Sequence, residues 1–109
     1  MLGQNPATFL ERLSIEHDFK VRLAKIWFLS RNKKERVEEL NKKYPGLLEK
    51  VGYTKIWEYV RTEIDEFMLR EALSQEQIAQ YLRINEWKLK PPLKTTLERA
   101  LKIPKRSFK

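Results

Sequence analysis

The sequence predicts an all-α protein, a compact bundle of five or six helices. Apolar residues recur at spacings of three and four along most of the 109 residues, which is the period of an amphipathic helix. No stretch alternates convincingly between apolar and polar residues as a half-buried strand does, and glycine occurs only three times. We find no internal repeat or obvious linker, so residues 1–109 are interpreted as a single helical domain.

The first predicted helix begins at Asn5 and Pro6. Asparagine suits the N-cap, and a proline in the first turn loses no hydrogen bond. Apolar spacing extends this helix to about Ser30, with a kink near Ser14 or a new cap at Asp18. We therefore expect one long helix at the start of the chain, either kinked or capped a second time along its length.

Two shorter helices are expected next. Asn32 and Glu35 have the spacing of a capping box, with asparagine in the place of the usual serine or threonine. They start a helix that ends before Tyr44, because a proline and a glycine follow that residue. The five residues LLEKV then form a short helix that closes on Gly52.

The clearest amphipathic helix lies in the middle of the chain, where Thr54 is the expected N-cap. Its apolar residues fall on one stripe, and charged residues occupy the other faces. The stripe consists of Ile56, Trp57, Val60, Ile64, Phe67 and Met68. Another capped helix begins at Ser74, and a last helix spans roughly Leu93 to Lys102.

Positive charge is concentrated at the C-terminal end. The chain has a net charge of +8, and residues 83–109 hold nine basic and two acidic side chains. Residues 55–82 instead hold three basic and six acidic side chains, so the two signs are segregated. A basic end favours a polyanionic partner, and a well-solvated basic tail is the alternative interpretation.

The stretch LSQEQIAQYL, residues 73–82, combines a helix cap with core spacing. Ile78 and Leu82 are expected to face the core, and the small Ala79 allows a neighbouring helix to cross closely. Leucine, serine, glutamine, glutamate, alanine and leucine stand here in a characteristic order, and EWKLKPPLKTTLERALKI follows.

These residues resemble the phage-repressor type of helix-turn-helix family, over about Leu73 to Phe108. The resemblance implies a DNA-binding unit, residues 73–109, attached to a helical core, residues 1–72. It also implies a role in transcription regulation.

Two departures from the family pattern are expected to matter. Arg83 stands where the family has a glycine, which suits a left-handed turn. Pro91 and Pro92 remove two backbone donors, so about one turn, Glu86–Leu89, remains where a recognition helix needs two turns or more. Asn85 is the candidate cap of that turn. We therefore expect this element to make few contacts with base edges in a major groove.

Three interpretations of this segment remain open: an ordinary packing element, a phosphate-binding surface, or a docking surface for an acidic protein. In the second, basic side chains neutralise phosphates, with DNA favoured over RNA, and Trp87 stacks on an unpaired base unless it is a core residue. The candidate nucleic-acid-binding residues are Arg83, Asn85, Trp87, Lys88, Lys90, Lys94, Arg99, Lys105, Arg106 and Lys109.

The sequence thus favours a small nucleic-acid-binding protein, a DNA-binding regulator or an accessory subunit of a larger nucleoprotein complex. The alternative is an adaptor or inhibitor that docks on an acidic protein surface. A homodimer enters both hypotheses, because Tyr53, Trp57 and Tyr59 either fill the core or form a self-complementary patch.

Little in the sequence indicates catalysis, a cofactor or a metal. The lone histidine, His17, is interpreted as a surface residue, because its helical neighbours Glu16 and Asp18 point in other directions. Carboxylate pairs such as Glu58 with Asp65 are typical of solvated helices. Neither a cysteine nor a glycine-rich phosphate loop occurs. With no apolar run long enough for a membrane span and no export signal, we expect a soluble, cytoplasmic non-enzyme.

Overall fold

The computed structural model describes the backbone of residues 6–104 and the side chains of residues 15–104. Within that range the chain forms seven α-helices, one 3₁₀ turn and no strand, so the predicted all-α fold is confirmed. The helices are α1 Pro6–Leu29, α2 Lys33–Lys43, α3 Leu47–Val51, α4 Tyr53–Glu63, α5 Glu66–Ala72, α6 Gln75–Asn85 and α7 Leu93–Leu101, with the 3₁₀ turn at Glu86–Lys88.

The first helix, α1, is one uninterrupted helix of 24 residues. The new cap expected at Asp18 is therefore wrong, since the helix continues through that residue, and the kink near Ser14 stays a prediction. The side chain of Asp18 is exposed, so it is solvated by water instead of capping a new helix. The expected cap Asn5 lies outside the described residues.

The cap of α2 is confirmed, with one difference. The Asn32 side-chain oxygen accepts a hydrogen bond from the Glu35 backbone N–H at 2.8 Å. The Glu35 carboxylate accepts from the Arg31 backbone N–H, also at 2.8 Å, and not from that of Asn32. The reciprocal half of the capping box is therefore displaced by one residue, to the turn that joins α1 to α2.

The predicted Thr54 cap is wrong. Gly52 precedes α4 with a φ of 97°, a conformation that glycine adopts without strain, and it also ends α3. Because this single residue separates the two helices, α4 begins at Tyr53, and Thr54 lies inside its first turn.

The long apolar stripe is divided between two helices, which raises the number of helices to seven. Ile64 is extended, with φ −103° and ψ 117°, and the Asp65 carboxylate accepts a hydrogen bond from the Met68 backbone N–H at 2.9 Å. A local cap therefore starts α5 where the pattern predicts continuation. Ile56 is buried as expected, whereas Phe67 is 63% exposed.

The core lies between α1, α5 and α7. Helix α5 packs against both α1 and α7, α6 packs on α7, and α4 packs on α1. Leu69 of α5, Ile78 of α6 and Leu97 of α7 are fully buried at its centre. Polar contacts tie the end of α7 to this core, because the Ile103 carbonyl accepts from Arg70 Nε at 2.7 Å and from the Gln75 side-chain amide at 3.2 Å.

Helix α6 is capped as predicted, but it does not end where a helix-turn-helix would turn. Ser74 and Gln77 form a complete capping box at its start. The helix then continues through Arg83 to Asn85, and no described residue other than glycine has a positive φ. The left-handed turn that the resemblance implies at Arg83 is therefore absent here, because without a glycine the chain stays right-handed.

One short turn connects α6 to α7. Glu86–Lys88 form the 3₁₀ turn, Leu89 is extended, and α7 begins directly after Pro92. The prediction that about one turn remains after Asn85 is confirmed. Leu89 is half-buried and packs against the core, so it anchors the turn.

Candidate nucleic-acid interface

A groove of about 710 Å³ separates the α1–α2 corner from the end of α6 and the 3₁₀ turn, with α4 beneath it. The charged side chains among its described lining residues are all basic, so we call it the basic groove. Its lining comprises Trp27, Phe28, Leu29, Ser30, Arg31, Asn32, Lys33, Arg36, Tyr53, Trp57, Gln77, Gln80, Tyr81, Ile84, Asn85, Lys88 and Leu89.

An aromatic stack forms the floor of the basic groove. The Trp27 and Trp57 rings are nearly parallel, at 4°, with centroids 5.3 Å apart, and the Tyr53 ring lies 5.0 Å from Trp27. The Arg36 guanidinium lies 4.7 Å from the Trp27 ring centroid. Trp27 is only 1% exposed, so it supports the groove and offers no free face to a ligand.

Arg36 is held in place by several contacts at once. Its Nε donates to the Trp27 carbonyl at 3.1 Å, and its Nη1 donates to the Tyr53 hydroxyl at 2.7 Å. These partners are neutral, and no ion pair joins Arg36 to a carboxylate of the described residues. Arg36 therefore brings to the groove a held positive charge that none of the described carboxylates pairs with.

Tyr81 adds a neutral hydroxyl to the same groove. Its ring meets Phe28 edge-on, with centroids 5.0 Å apart. Burial raises the pKa of Tyr81 above its ordinary value, and the positive charge of Arg36 opposes part of that rise. The phenol thus stays protonated at neutral pH and adds no negative charge.

The two other basic residues of the α1–α2 corner that line the groove differ in their partners. Arg31 forms an ion pair with Glu35, with Nη2 3.2 Å from the carboxylate. The Arg31 backbone N–H, and then its guanidinium, hold the pKa of Glu35 below its ordinary value. Lys33 is exposed, with its Nζ 4.6 Å from the Tyr53 ring centroid. Lys33 is therefore the freer of the two charges.

Two of the sequence-predicted residues line the groove, Asn85 and Lys88. The Asn85 amide donates to the Tyr81 carbonyl at 2.9 Å and does not cap the 3₁₀ turn, so the cap expected from it is wrong. Its donor is used to close the last turn of α6. Lys88 is exposed, with its Nζ 5.6 Å from the Trp87 ring centroid.

Trp87 lies on the turn beside the groove, outside its lining. Its side chain is 83% exposed, so the core position that the sequence also allowed for Trp87 is wrong. Neighbouring Leu89 takes the inward direction instead. The structure therefore presents an indole ring to solvent next to Lys88.

The other predicted residues are spread over the surface. Arg83, Lys90 and Arg99 are exposed and form no ion pair with a described carboxylate. Lys94 is half-buried, with its Nζ 4.0 Å from the Glu86 carboxylate, which offsets its charge. Lys105, Arg106 and Lys109 lie outside the described residues.

Sequence reasoning missed the contribution of Arg31, Lys33 and Arg36. These residues belong to SRNKKER, a basic run at the corner between α1 and α2. The sequence shows that these residues are basic. Only the packing of the α1–α2 corner near α6 places them in the same groove as Lys88.

The expected aromatic patch on α4 is divided between two faces. Tyr53 and Trp57 pack against Trp27, whereas the Tyr59 ring lies 6.0 Å from Phe19. All three α4 aromatics are half-buried, so contact with the core accounts for much of their surface. A homodimer remains a prediction.

The lone histidine has a structural partner. His17 Nε2 lies 2.8 Å from the Glu71 carboxylate and joins α1 to α5.

Within the described part of the chain, no group of three or more histidine or acidic side chains is placed to hold a metal ion. None of the described helices is both long and apolar enough to cross a membrane. In comparisons with protein-family models, curated proteins and solved structures, no match to this chain was found.

Proposed function

We propose that the protein binds nucleic acid through the basic groove and the adjoining turn, as a non-enzymatic regulator or an accessory subunit of a nucleoprotein complex. One observation carries the proposal: every charged side chain that lines the groove is basic, among the residues described. Three of them, Lys33, Arg36 and Lys88, form no ion pair with a described carboxylate.

Such a groove suits a phosphate chain. Lys33 belongs to the α1–α2 side and Lys88 to the opposite side, so a chain of phosphates between them meets positive charge from both directions. Lysine ammonium groups neutralise phosphates by releasing counterions, which makes binding strongly dependent on salt. The exposed Arg83, Lys90 and Arg99 extend the positive surface beyond the groove.

The resemblance to the phage-repressor family supports binding more than base reading. In that family a recognition helix enters the major groove. Here the corresponding segment is the 3₁₀ turn Glu86–Lys88, too short to present several side chains to base edges. The proposal is therefore contact with phosphates, with sequence preference supplied by a partner or by a second subunit.

A second candidate function is docking on an acidic protein. The observation that favours it is the exposed apolar surface beside the lysines, where Trp87 is 83% exposed and Ile84 is 58% exposed. Tryptophan beside basic residues is typical of protein interfaces as well. Material that co-purifies and resists nuclease and moderate salt would favour this candidate.

The test is a fluorescence-anisotropy titration against a random duplex, a random single strand and an RNA hairpin. We expect micromolar or tighter binding that weakens steeply between about 50 and about 200 mM salt. Reversing both lysines, Lys33→Glu with Lys88→Glu, should weaken binding and reduce the log–log salt slope by about 1.4 for a single strand.

The matched control reverses two exposed lysines outside the groove, Lys42→Glu with Lys50→Glu. It changes the net charge by the same amount, so any difference in affinity between the two double variants comes from the position of the lysines. Equal losses in the two double variants would mean that the groove is not the binding site. A failure of all three nucleic acids to bind at low salt would refute the proposal.

A further inference from the structure

We propose that the basic groove holds a single strand of nucleic acid and that an unpaired base of this strand stacks on Trp87. This inference rests on the proposed function and specifies the form of nucleic acid. Three features of the described residues carry it: the free indole ring, the apolar side chains in the groove, and the short connection between α6 and α7.

Trp87 presents the most exposed large hydrophobic side chain of the described residues, at 83%. The turn that carries it is supported, because Leu89 is packed against the core and its N–H donates to the Glu86 carbonyl at 3.3 Å. The ring is therefore held outward on a supported turn, with Lys88 as its cationic neighbour. An unpaired base offers a free face for stacking on such a ring, whereas a base inside a duplex is covered by its neighbours.

The groove itself combines positive and apolar surface. Leu29 is 44% exposed and Ile84 is 58% exposed, and both line the groove together with the lysines. Contact with the phosphates on the outside of a duplex would need only the charged groups. Apolar side chains in the same groove as the charges suit a strand whose bases are turned toward the protein, because base faces are largely apolar.

The connection between α6 and α7 argues against reading a duplex. Three residues form the 3₁₀ turn, and Pro91 and Pro92 follow before α7 begins. No helix in this connection is long enough to lie in a major groove. The same shortening leaves Trp87 at the tip of a compact turn, where a strand in the groove can reach it.

The experiment compares a single DNA strand of about 12 nucleotides, the RNA strand of the same sequence and the DNA duplex, at one salt concentration. The wild-type protein should bind one or both strands at least roughly tenfold more tightly than the duplex. Trp87→Ala should weaken strand binding by roughly 5- to 150-fold and weaken duplex binding by less, whereas Trp87→Phe should retain much of the strand affinity. A circular-dichroism melt confirms that both variants are folded.

The outcomes separate this inference from the function on which it rests. Equal affinity for duplex and strands, with no effect of Trp87→Ala, overturns the inference and leaves nucleic-acid binding standing. Absence of binding to every nucleic acid, with binding to polyglutamate, overturns both and favours protein docking. Tight binding to either strand, weakened by Trp87→Ala, supports the inference. Whichever strand binds more tightly, DNA or RNA, then shows whether deoxyribose or ribose is preferred.

Discussion

Helix α6 and the turn that follows it are adjacent in sequence and opposite in environment. Ile78 of α6 is fully buried, and nine residues later Trp87 is 83% exposed. Both are large and apolar, so residue type alone does not separate them. The helix has a complete cap and a periodic apolar face, whereas the turn has one inward residue, Leu89, and is otherwise exposed. The first region specifies the fold, and the second is free to contact a partner.

The strongest test of this difference is a pair of truncations. Ile78→Ala removes buried atoms from the centre of the core and should lower the free energy of unfolding by about 2–5 kcal/mol. Trp87→Ala removes a solvent-exposed ring and should change it by about 0.5 kcal/mol or less. Urea denaturation followed by circular dichroism measures both. A large loss of stability in Trp87→Ala would show that the turn contributes to the fold.

The next test concerns the floor of the basic groove, where Gly52 sets the start of α4 and therefore the position of Tyr53. An added Cβ at Gly52 meets no atom within 4 Å, so only the backbone conformation at φ 97° resists substitution. Gly52→Ala should therefore destabilise the protein by about 1–3 kcal/mol. Thermal denaturation provides the measurement.

Proline substitution at Gly52 is the matched comparison. Its ring fixes φ near about −65°, and it removes the N–H that donates to the Leu48 carbonyl at 2.9 Å. Gly52→Pro should accordingly be more damaging than Gly52→Ala. Equal stability of the wild type and Gly52→Ala would mean that α3 and α4 can be joined without a positive φ.

A smaller effect is expected at the start of α6. The Ser74 hydroxyl accepts from the Gln77 backbone N–H at 3.1 Å, and the Gln77 side chain accepts from the Ser74 N–H at 2.9 Å. Ser74→Ala should cost about 1 kcal/mol of stability, since it removes one half of the box. Ser74→Asp should restore most of that loss because aspartate is also a good N-cap. If both variants equal the wild type in a chemical melt, packing alone holds α6.

The smallest expected effect is electrostatic and lies at the edge of the basic groove. Glu35→Gln leaves Arg31 without its carboxylate partner, and affinity for nucleic acid should rise by roughly twofold. Because the folded-state pKa of Glu35 is lowered, the stability from this contact is present above the unfolded-state pKa and is lost as pH falls through the folded-state value. Anisotropy titrations of wild type and variant should therefore converge at acidic pH. A difference that persists there would have another origin.

Local chemistry made much of the fold predictable. The Asn32 and Ser74 caps depend on residues three positions apart, and both are present as the sequence predicts. The errors occur where a local backbone choice overrides a periodic pattern. Gly52 starts α4 before Thr54, and the Asp65 cap divides a stripe that looks continuous.

The candidate site was predictable only in part, because it joins distant parts of the chain. Lys88 follows from the basic C-terminal composition, whereas Lys33 and Arg36 reach the same groove through the packing of the α1–α2 corner. The spacing of residues along the sequence does not show that this corner and the end of α6 line one groove. For Trp87 the sequence allows both a core and a surface position, and the deciding fact is that Leu89 occupies the inward direction.

The contacts of Arg36 have a kinetic consequence. Its guanidinium is already bonded to Trp27 and Tyr53, so a phosphate that binds there does not have to order a mobile side chain. Lys33 and Lys88 are exposed, so they attract the nucleic acid electrostatically while the two molecules approach, before the complex forms. We therefore expect changes at the two lysines to alter mainly the association rate, and changes at Arg36 to alter mainly how long the complex lasts.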